Sequence, residues 1–418
     1  MTLRRALSAG SLQTATSLLV GFFSVKITSV YLGPAGVGVL GLMQHFMAMA
    51  SGIVVAGLST ALIRRTAELK SDSGKRAVVV STTLKMLLLL GLPAAIAVLL
   101  MSDWLSLELL HNRHLRIALI VFGVVYLLGV MGALYGACAN GAHDYRSTVT
   151  INISVSIATL ALLALLSPIY GVVGALIAIA VAPLFSFVVG LILSRRSLWW
   201  PKPVWSHPFS ATEARLSLAF IPAAAVNAVA VPLMHIVLRN DVVEHSGLAA
   251  VGLLQGVTRL SDLYLGIVIS VLSMYFLPRF AEIKVRSELR RELFRATALI
   301  VPGLALASLL IYLFRDLIIA VLFTREFAAM RDLFEWQMTG NVLKMMGWLL
   351  GMVVLAKANP LLFAVYDAFS LLVWWQLGAW LIGENGAVGA TQAYALTYAI
   401  YVVMGLLATF VVLRRMPR

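Results

Sequence analysis

Ionisable side chains inside long apolar runs are the residues of this sequence best suited to chemistry. Four cations and two acids interrupt such runs: Lys26, Lys85, Arg259, Lys344, Asp262 and Asp367. A charge at the centre of a membrane helix costs about 2.5–3.5 kcal/mol on insertion scales, so it usually faces a wet cavity or an internal partner. Because arginine offers phosphate a planar fork and lysine adds a point charge, this excess of cations predicts a strongly anionic ligand.

Arg259 is the centre of the predicted site, because it lies near the middle of the apolar run 248–277. Asp262 follows three residues later on the same helical face. It either orients Arg259 for a ligand or forms a self-contained pair that stabilises the helix bundle. We predict that the following side chains bind the ligand: Arg259, Lys26, Lys344, His45, Asp262 and Lys85. Asp262 and Asp367 are the candidates for ion coupling.

The other candidates also have plainer interpretations. Lys344 could form an ion pair within the second half of the chain, His45 could be a satisfied core histidine, and Lys85 could reach the membrane surface with its long stem. The G-x-G-x-x-G at residues 36–41 opens an apolar helix and follows no strand, so we interpret it as a helix-packing motif. The sequence shows no metal-ligand cluster, phosphate loop or nucleophile elbow, so we expect no metal, cofactor or catalytic residue.

Membrane helices are the elements that must position these residues. The chain has 418 residues, of which 61% are apolar and 12% are charged, whereas soluble domains have about 45–50% and about 25%. These proportions exclude a soluble enzyme and a disordered chain. The continuous runs predict an all-α polytopic membrane protein rather than a β-barrel. About twelve spans are expected, at residues 11–32, 36–63, 77–100, 116–138, 147–167, 170–193, 214–238, 248–277, 296–314, 332–357, 360–382 and 387–413.

Lysine and arginine are divided unevenly between the two sets of loops. One set carries 22 of these residues and the other carries six, Arg239 among them. Because basic loops remain in the cytoplasm, both termini are predicted to be cytoplasmic. The net charge of +14 is then mainly a topology signal, and we expect no nucleic-acid partner. Trp199, Trp200 and Trp205 are placed as interfacial anchors would be, and Cys138, the single cysteine, allows no intrachain disulfide.

The chain repeats itself. Residues 33–68 align without gaps to 247–282, with 13 of 36 positions identical, and 171–180 resembles 386–395. The alignment pairs His45 with Arg259. It predicts an N-terminal six-helix lobe at 1–200, a cytoplasmic linker at 201–213 and a C-terminal six-helix lobe at 214–418. A parallel repeat implies a pseudo-two-fold axis along the membrane normal, with two lobes around a central cavity, which is a plan typical of alternating-access transporters.

Several segments resemble a known family. They are GPAGVGVLG after the first span, GVVGA and GAVGA at the starts of the sixth and twelfth spans, and the stretches 261–283 and 324–359. Together they resemble the Wzx-type polysaccharide flippases of the multidrug/oligosaccharidyl-lipid/polysaccharide exporter superfamily, and most nearly its lipid III flippases of enterobacterial common antigen synthesis. The resemblance implies a V-shaped, often cationic cavity, with Lys26 and Arg259 at positions where basic residues are typical.

The resemblance also implies a function, namely movement of undecaprenyl-diphosphate-linked oligosaccharide from the cytoplasmic to the periplasmic leaflet of the bacterial inner membrane. We expect a monomer that contacts membrane lipids and polysaccharide polymerase and chain-length regulator proteins. The first alternative is a multidrug or cation exporter of the same fold, which would need a cavity dominated by acids. A lipid-saccharide polymerase or ligase would need a long catalytic periplasmic loop, and a structural scaffold would not explain charges at mid-membrane.

Overall fold

The structure is a computed structural model that describes residues 3–69, 72–197, 199–219, 221, 226–357 and 360–417. These residues are helical nearly throughout and contain no strand, so the all-α prediction is confirmed. The α-helices are Leu3–Glu68, Ser73–Leu100, Ser102–Glu108, Arg116–Gly141, Tyr145–Val181, Leu184–Arg196, Ala211–Leu218, Val231–Glu282, Arg286–Leu313, Arg315–Leu322, Phe334–Lys357 and Pro360–Arg415. Short 3₁₀ turns lie at Arg113–Leu115, Val204–Ser206 and Arg325–Leu333, and a π-helical turn lies at Val226–Ala230.

Several helices are long enough for two membrane crossings. Seven helical stretches in the described residues are long and apolar enough to cross a membrane, and Tyr145–Arg196 and Val365–Arg415 extend over 52 and 51 residues. One crossing needs only about 20 residues. Gly171 and Gly386 interrupt these two stretches with non-helical backbone angles. Each stretch therefore supplies two of the twelve spans that the sequence predicts.

The glycine breaks carry the signature of the internal repeat. Gly171 (φ 55°, ψ −132°) and Gly386 (φ 57°, ψ −132°) share one backbone conformation. Gly33 (φ 63°, ψ −178°) and Gly247 (φ 81°, ψ 168°) form a second related pair. Side chains other than glycine rarely adopt a positive φ with an extended ψ. The same helix break thus recurs at repeat-related positions in both halves of the chain.

Glycine also permits close packing within the G-x-G-x-x-G segment. A Cβ atom on Gly38 would lie 2.7 Å from the carbonyl oxygen of Leu248 and 3.0 Å from the amide nitrogen of Gly252. Gly252 is the repeat counterpart of Gly38, so two equivalent glycines meet at one helix crossing. The interpretation of this motif as helix packing is confirmed.

Contacts divide the chain into two compact units. The first comprises Met1–Leu32 and Val39–Ile236, and the second comprises Gly33–Gly38 and Val237–Arg418. We call them the first and second units. The division of the chain into lobes at 1–200 and 214–418 remains a prediction.

The segment that follows the sixth span is fixed to the first unit. Trp199 donates from Nε1 to Asp144 Oδ2 at 3.0 Å, and the Trp200 ring lies 4.3 Å from that of Tyr135. Both tryptophans are buried, whereas Trp205 is half exposed. The prediction of interfacial anchors is therefore wrong for Trp199 and Trp200, because their rings find partners inside the protein.

An ion-paired arginine holds the end of the same segment. Arg65 Nε donates to Glu213 Oε2 at 2.9 Å, and Arg65 Nη1 donates to Glu68 Oε2 at 2.7 Å. The hydrogen bonds to Glu213 and then to Glu68 raise the pKa of Arg65 above its ordinary value. The repeat places Arg279 at the equivalent position, where it pairs with Glu282 and Glu288.

The glycine breaks give a testable prediction. A Cβ atom on Gly171 meets no atom within 4 Å, so replacement by alanine costs only backbone strain. We expect Gly171→Ala to lower the free energy of unfolding by about 1–3 kcal/mol, measured as a lower midpoint of thermal unfolding in detergent. Gly303→Ala is the matched control, because that site is equally open but helical, and alanine there stabilises by about 0.5–1 kcal/mol. Equal midpoints for the two variants would contradict the assigned break.

Candidate functional site

Span eight, within the helix Val231–Glu282, presents a polar face at helical spacing. Gln255, Arg259 and Asp262 follow one another at intervals of four and three residues, which places them on one side of the helix. Arg239 lies on the part of this helix that precedes the break at Gly247. It donates from Nη2 to Gln255 Oε1 at 2.8 Å. Arg239 is only 2% exposed and Gln255 only 5%. Spans seven and eight therefore bring two guanidinium groups to one polar face.

Span ten supplies a third cation. Lys344 lies on the helix Phe334–Lys357, half-buried. Its Nζ lies 5.7 Å from the ring centroid of Tyr394 and 5.6 Å from that of Tyr398, both on span twelve. Distances below about 6 Å permit cation–π attraction. The two rings hold the ammonium group without neutralising its charge.

Asp262 is the carboxylate that these cations share. Coulombic attraction links it to Lys344, Arg239 and Arg259. Asp262 lies at the protein surface. We call these four residues, three cations and one acid, the cationic cluster. The cluster belongs entirely to the second unit.

A network of uncharged hydrogen-bonding side chains links the three spans that carry the cluster and its tyrosine rings. Asn341 on span ten is fully buried and donates from Nδ2 to Ser261 Oγ at 2.8 Å and to Tyr264 OH at 2.7 Å. Its Oδ1 accepts from Tyr394 OH at 3.0 Å and from Gln337 Nε2 at 3.2 Å. The Asn341 amide thus joins spans eight, ten and twelve, and fixes one of the rings beside Lys344.

Apolar packing joins spans eight and ten to span nine. Leu265, Leu304 and Met345 form a buried cluster that joins spans eight, nine and ten. Leu265 lies three residues beyond Asp262 and Met345 directly follows Lys344. The charged side chains therefore lie beside a packed apolar layer. Rotation of spans eight or ten would expose Leu265 or Met345, so this packing fixes the direction in which the charged faces point.

The comparison with known proteins gives the family. A family model described as polysaccharide biosynthesis protein matches residues 3–284, which is more than half of the chain. The chain belongs to the polysaccharide biosynthesis protein family. This finding confirms the family that the sequence resembles.

Relatives of this polysaccharide biosynthesis protein match along nearly its whole length. It is 27% identical over 409 residues to proteins named lipid III flippase from Escherichia coli (strain K12) and Shigella flexneri, covering 95% of this chain and 96% of each relative. An inward-facing multidrug resistance MATE family transporter of the MOP superfamily superposes with a TM-score of 0.78 at 15% identity, over 95% of this chain and 96% of that one. The lipid II flippase MurJ, in an inward closed conformation, gives 0.76 at 14% identity, over 95% and 86%. These structural matches establish the transporter fold.

The fold brings three of the predicted site residues together and leaves the others elsewhere. Arg259, Lys344 and Asp262 lie within range of mutual Coulombic attraction in the cationic cluster. Lys26 lies half-buried on span one of the first unit. The ring of His45 stacks on that of His235 in the same unit, with centroids 4.5 Å apart and planes inclined by 15°.

The two remaining candidates have polar partners of their own. Lys85 Nζ donates to the backbone carbonyl of His207 at 2.7 Å, which fastens the segment before the seventh span. Asp367 Oδ1 accepts from Tyr401 OH at 2.9 Å. The Tyr398 and Tyr401 rings lie 5.9 Å apart, so an aromatic row on span twelve extends from the side of Lys344 towards Asp367.

Sequence reasoning missed Arg239. It ended the seventh span at residue 238 and counted Arg239 as a loop cation, whereas the helix continues beyond it to the break at Gly247. The repeat contained the missing signal. It aligns Leu32, the last residue of the first span, with Ser246, so the seventh span should also extend past Arg239 to residue 246. The neutral network around Asn341 was missed as well, since amides and hydroxyls scarcely change the hydropathy of a span.

The Asn341 network yields a prediction about stability. We expect Asn341→Ala to lower the free energy of unfolding by about 1–3 kcal/mol, because it removes the acceptor of the buried Gln337 amide and of the Tyr394 hydroxyl. The measurement is the thermal midpoint of the purified chain in detergent. Asn385→Ala serves as the control, since it removes only an exposed hydrogen bond to Gln392. A midpoint for Asn341→Ala equal to that of the control would show that the network is not structural.

Proposed function

We propose that this chain is a flippase that carries a polyprenyl-diphosphate-linked oligosaccharide from the cytoplasmic to the periplasmic leaflet of the bacterial inner membrane. The family and the lipid III flippase relatives support this substrate class. The structural similarity to MATE transporters and to MurJ supports alternating access as the mechanism. The carbohydrate head group would cross inside the protein while the prenyl chain stays in lipid.

The observation that carries the proposal is the charge of the cationic cluster. A diphosphate diester bears two negative charges, and three of the four side chains in the cluster are cations. Arg239 and Arg259 provide forked donors suited to phosphate oxygens, and Lys344 provides a point charge. Since such ion pairs strengthen away from water, the cluster suits an anion that must leave the cytoplasm.

Asp262 would act as an internal counter-ion. In the empty protein it attracts Lys344 and both arginines, so that the cations do not repel one another apart. When a diphosphate enters, Asp262 must be screened, displaced or protonated, because like charges at close range are unfavourable. This competition links ligand binding to the charge on Asp262, and Asp367 offers a second acid for ion coupling. Lys26 and His45, in the first unit, remain candidate ligand-binding residues.

Two alternatives fit less well. A multidrug exporter would have to bind organic cations. A cluster in which cations outnumber acids by three to one would repel such a substrate. An enzyme that polymerises or ligates saccharide lipids has no support among the relatives, which are named as flippases. The chain is accordingly a transporter.

Orientation and assembly belong to the same proposal. The excess of basic residues in one set of loops supports cytoplasmic positions for both termini. Assembly as a monomer, and contact with polymerase and chain-length regulator proteins, follow from the family resemblance.

Transport by a cluster variant tests the proposal. Proteoliposomes would contain a short-chain prenyl-diphosphate saccharide, and an impermeant probe would detect newly exposed sugar. We expect Arg259→Ala to reduce the initial rate at least about tenfold, because a charge-assisted hydrogen bond contributes about 1.5–3 kcal/mol.

The matched control is Arg291→Ala, which removes an exposed arginine outside the cluster and should change the rate less than about twofold. Equal amounts of each variant would be reconstituted after size-exclusion chromatography. A normal rate for well-folded Arg259→Ala would contradict the assignment of the cluster to the substrate.

A further inference from the structure

A basic groove lies at the start of the helix Arg286–Leu313, which carries span nine of the second unit. The groove has a volume of about 560 Å³, within the range of about 300–1,000 Å³ typical of small-molecule sites. Its described lining residues are Arg286, Ser287, Arg290, Arg291 and Phe294. None of them belongs to the cationic cluster, so the groove is a separate feature of the same unit.

We propose that this groove binds the head group of an anionic phospholipid of the surrounding membrane. The lipid would be a structural ligand that stabilises the second unit, with no part in translocation. The inference therefore goes beyond the proposed function and does not depend on it. Three properties of the groove support it: its charge, the spacing of its residues and its position on the helix.

First, the three arginines of the groove carry charge that the protein does not neutralise. Within the described parts of the chain none of them forms an ion pair. Of the acids on the same helix, Glu288 accepts from Arg279 Nη2 at 3.3 Å, and Glu292 lies on the side of the helix opposite the groove. Membrane topology requires basic residues on one side of the bilayer, but it does not require unpaired arginines on one helix face. The charge therefore favours an anionic ligand.

Second, the helical spacing of these residues suits a phosphate group. Arg286 and Arg290 are four residues apart and lie on neighbouring turns, about 5–6 Å from each other at Cβ. Ser287 and Arg291 form a second row with the same spacing. Guanidinium groups can bind phosphate oxygens through two parallel hydrogen bonds, and a serine hydroxyl can donate a further one. The helix begins at Arg286, so the positive end of its dipole adds to this charge.

Third, the groove lies at the end of a membrane span, at the level of lipid head groups. The backbone nitrogen of Arg286 donates to the carbonyl of Pro417 at 3.0 Å, which places the groove at the same end of the second unit as the C-terminal residues. Past the arginines the helix continues as an apolar span, on which Phe294 is 73% exposed and Leu299 75%. A phosphate held by the arginines would leave its acyl chains beside these apolar side chains.

An acidic segment of another protein is the competing occupant. Its carboxylates could pair with the arginines, but a chain that reached Phe294 would bring unpaired backbone groups to the edge of the hydrocarbon layer, which is costly. A free phosphate ion would use the arginines and leave the apolar part of the groove uncovered. An anionic phospholipid matches both the basic and the apolar parts of the lining.

Lipid binding to the full-length purified chain tests the inference. Dioleoylphosphatidylglycerol, which is anionic, and dioleoylphosphatidylcholine, which is zwitterionic, would be titrated in neutral detergent and the bound lipid counted by native mass spectrometry. We expect the wild-type chain to prefer phosphatidylglycerol at least about fivefold. Replacing all three arginines of the groove by glutamine should weaken phosphatidylglycerol binding at least about 20-fold, because one basic residue near an anionic lipid contributes about fivefold. Arg290→Gln and Arg291→Gln, at exposed positions, should each cost about fivefold and serve if the triple variant does not fold.

A matched control removes the same charge elsewhere. Arg195, Arg196 and Arg215 are exposed residues of the first unit, and replacing all three by glutamine should change phosphatidylglycerol binding less than about twofold. Equal weakening in the two triple variants would overturn the inference, because the attraction would then be one of overall charge.

Two further outcomes would also contradict a phospholipid site. Phosphatidylglycerol affinity that is unaltered in folded groove variants would show that the lipid binds elsewhere or not at all. Glycerol 3-phosphate is the soluble probe, and we expect it to bind at least about tenfold more weakly than phosphatidylglycerol because it has no acyl chains. Equal affinities for the two would assign the groove to a free phosphate.

Discussion

The electrostatic cost of charge inside a membrane is the constraint on which the rest of this structure depends. Arg239, Arg259 and Lys344 lie in helices that cross the apolar layer, and each would be expensive if it faced lipid. The structure offsets part of this cost by Coulombic attraction to Asp262 and by placing Lys344 within 5.7 Å and 5.6 Å of two tyrosine ring centroids. Among these four side chains cations outnumber acids by three to one, which favours an anionic ligand.

The surrounding architecture keeps that excess charge in position. Asn341 ties spans eight, ten and twelve through its amide, so the helices that carry the cluster share one buried network. The glycine breaks at Gly33, Gly171, Gly247 and Gly386 let long helices turn back within a single residue. Because those breaks recur at repeat-related positions, both halves of the chain follow one plan while their polar residues differ. The second unit carries the cationic cluster.

The site residues that the sequence predicted are those whose charge interrupts an apolar run. Arg259, Lys344 and Asp262 stood out because each interrupts an apolar run, and the structure brings them together. Arg239 was missed because a charge near the end of a span resembles a loop residue. Asn341 was missed because an amide barely alters hydropathy, and its value depends on partners that lie up to 80 residues away. Lys85 also stood out as a charge in an apolar run, but the structure gives it a different partner. It donates to the backbone carbonyl of His207, which no sequence pattern indicates.

The most direct test of the central claim is to locate a bound diphosphate. Cryo-electron microscopy of the full chain with farnesyl diphosphate would show where its phosphorus atoms lie. The account predicts phosphate oxygens within hydrogen-bond distance, about 2.7–3.2 Å, of at least two of Arg239, Arg259 and Lys344. A diphosphate that is well ordered but touches none of these three side chains would contradict it.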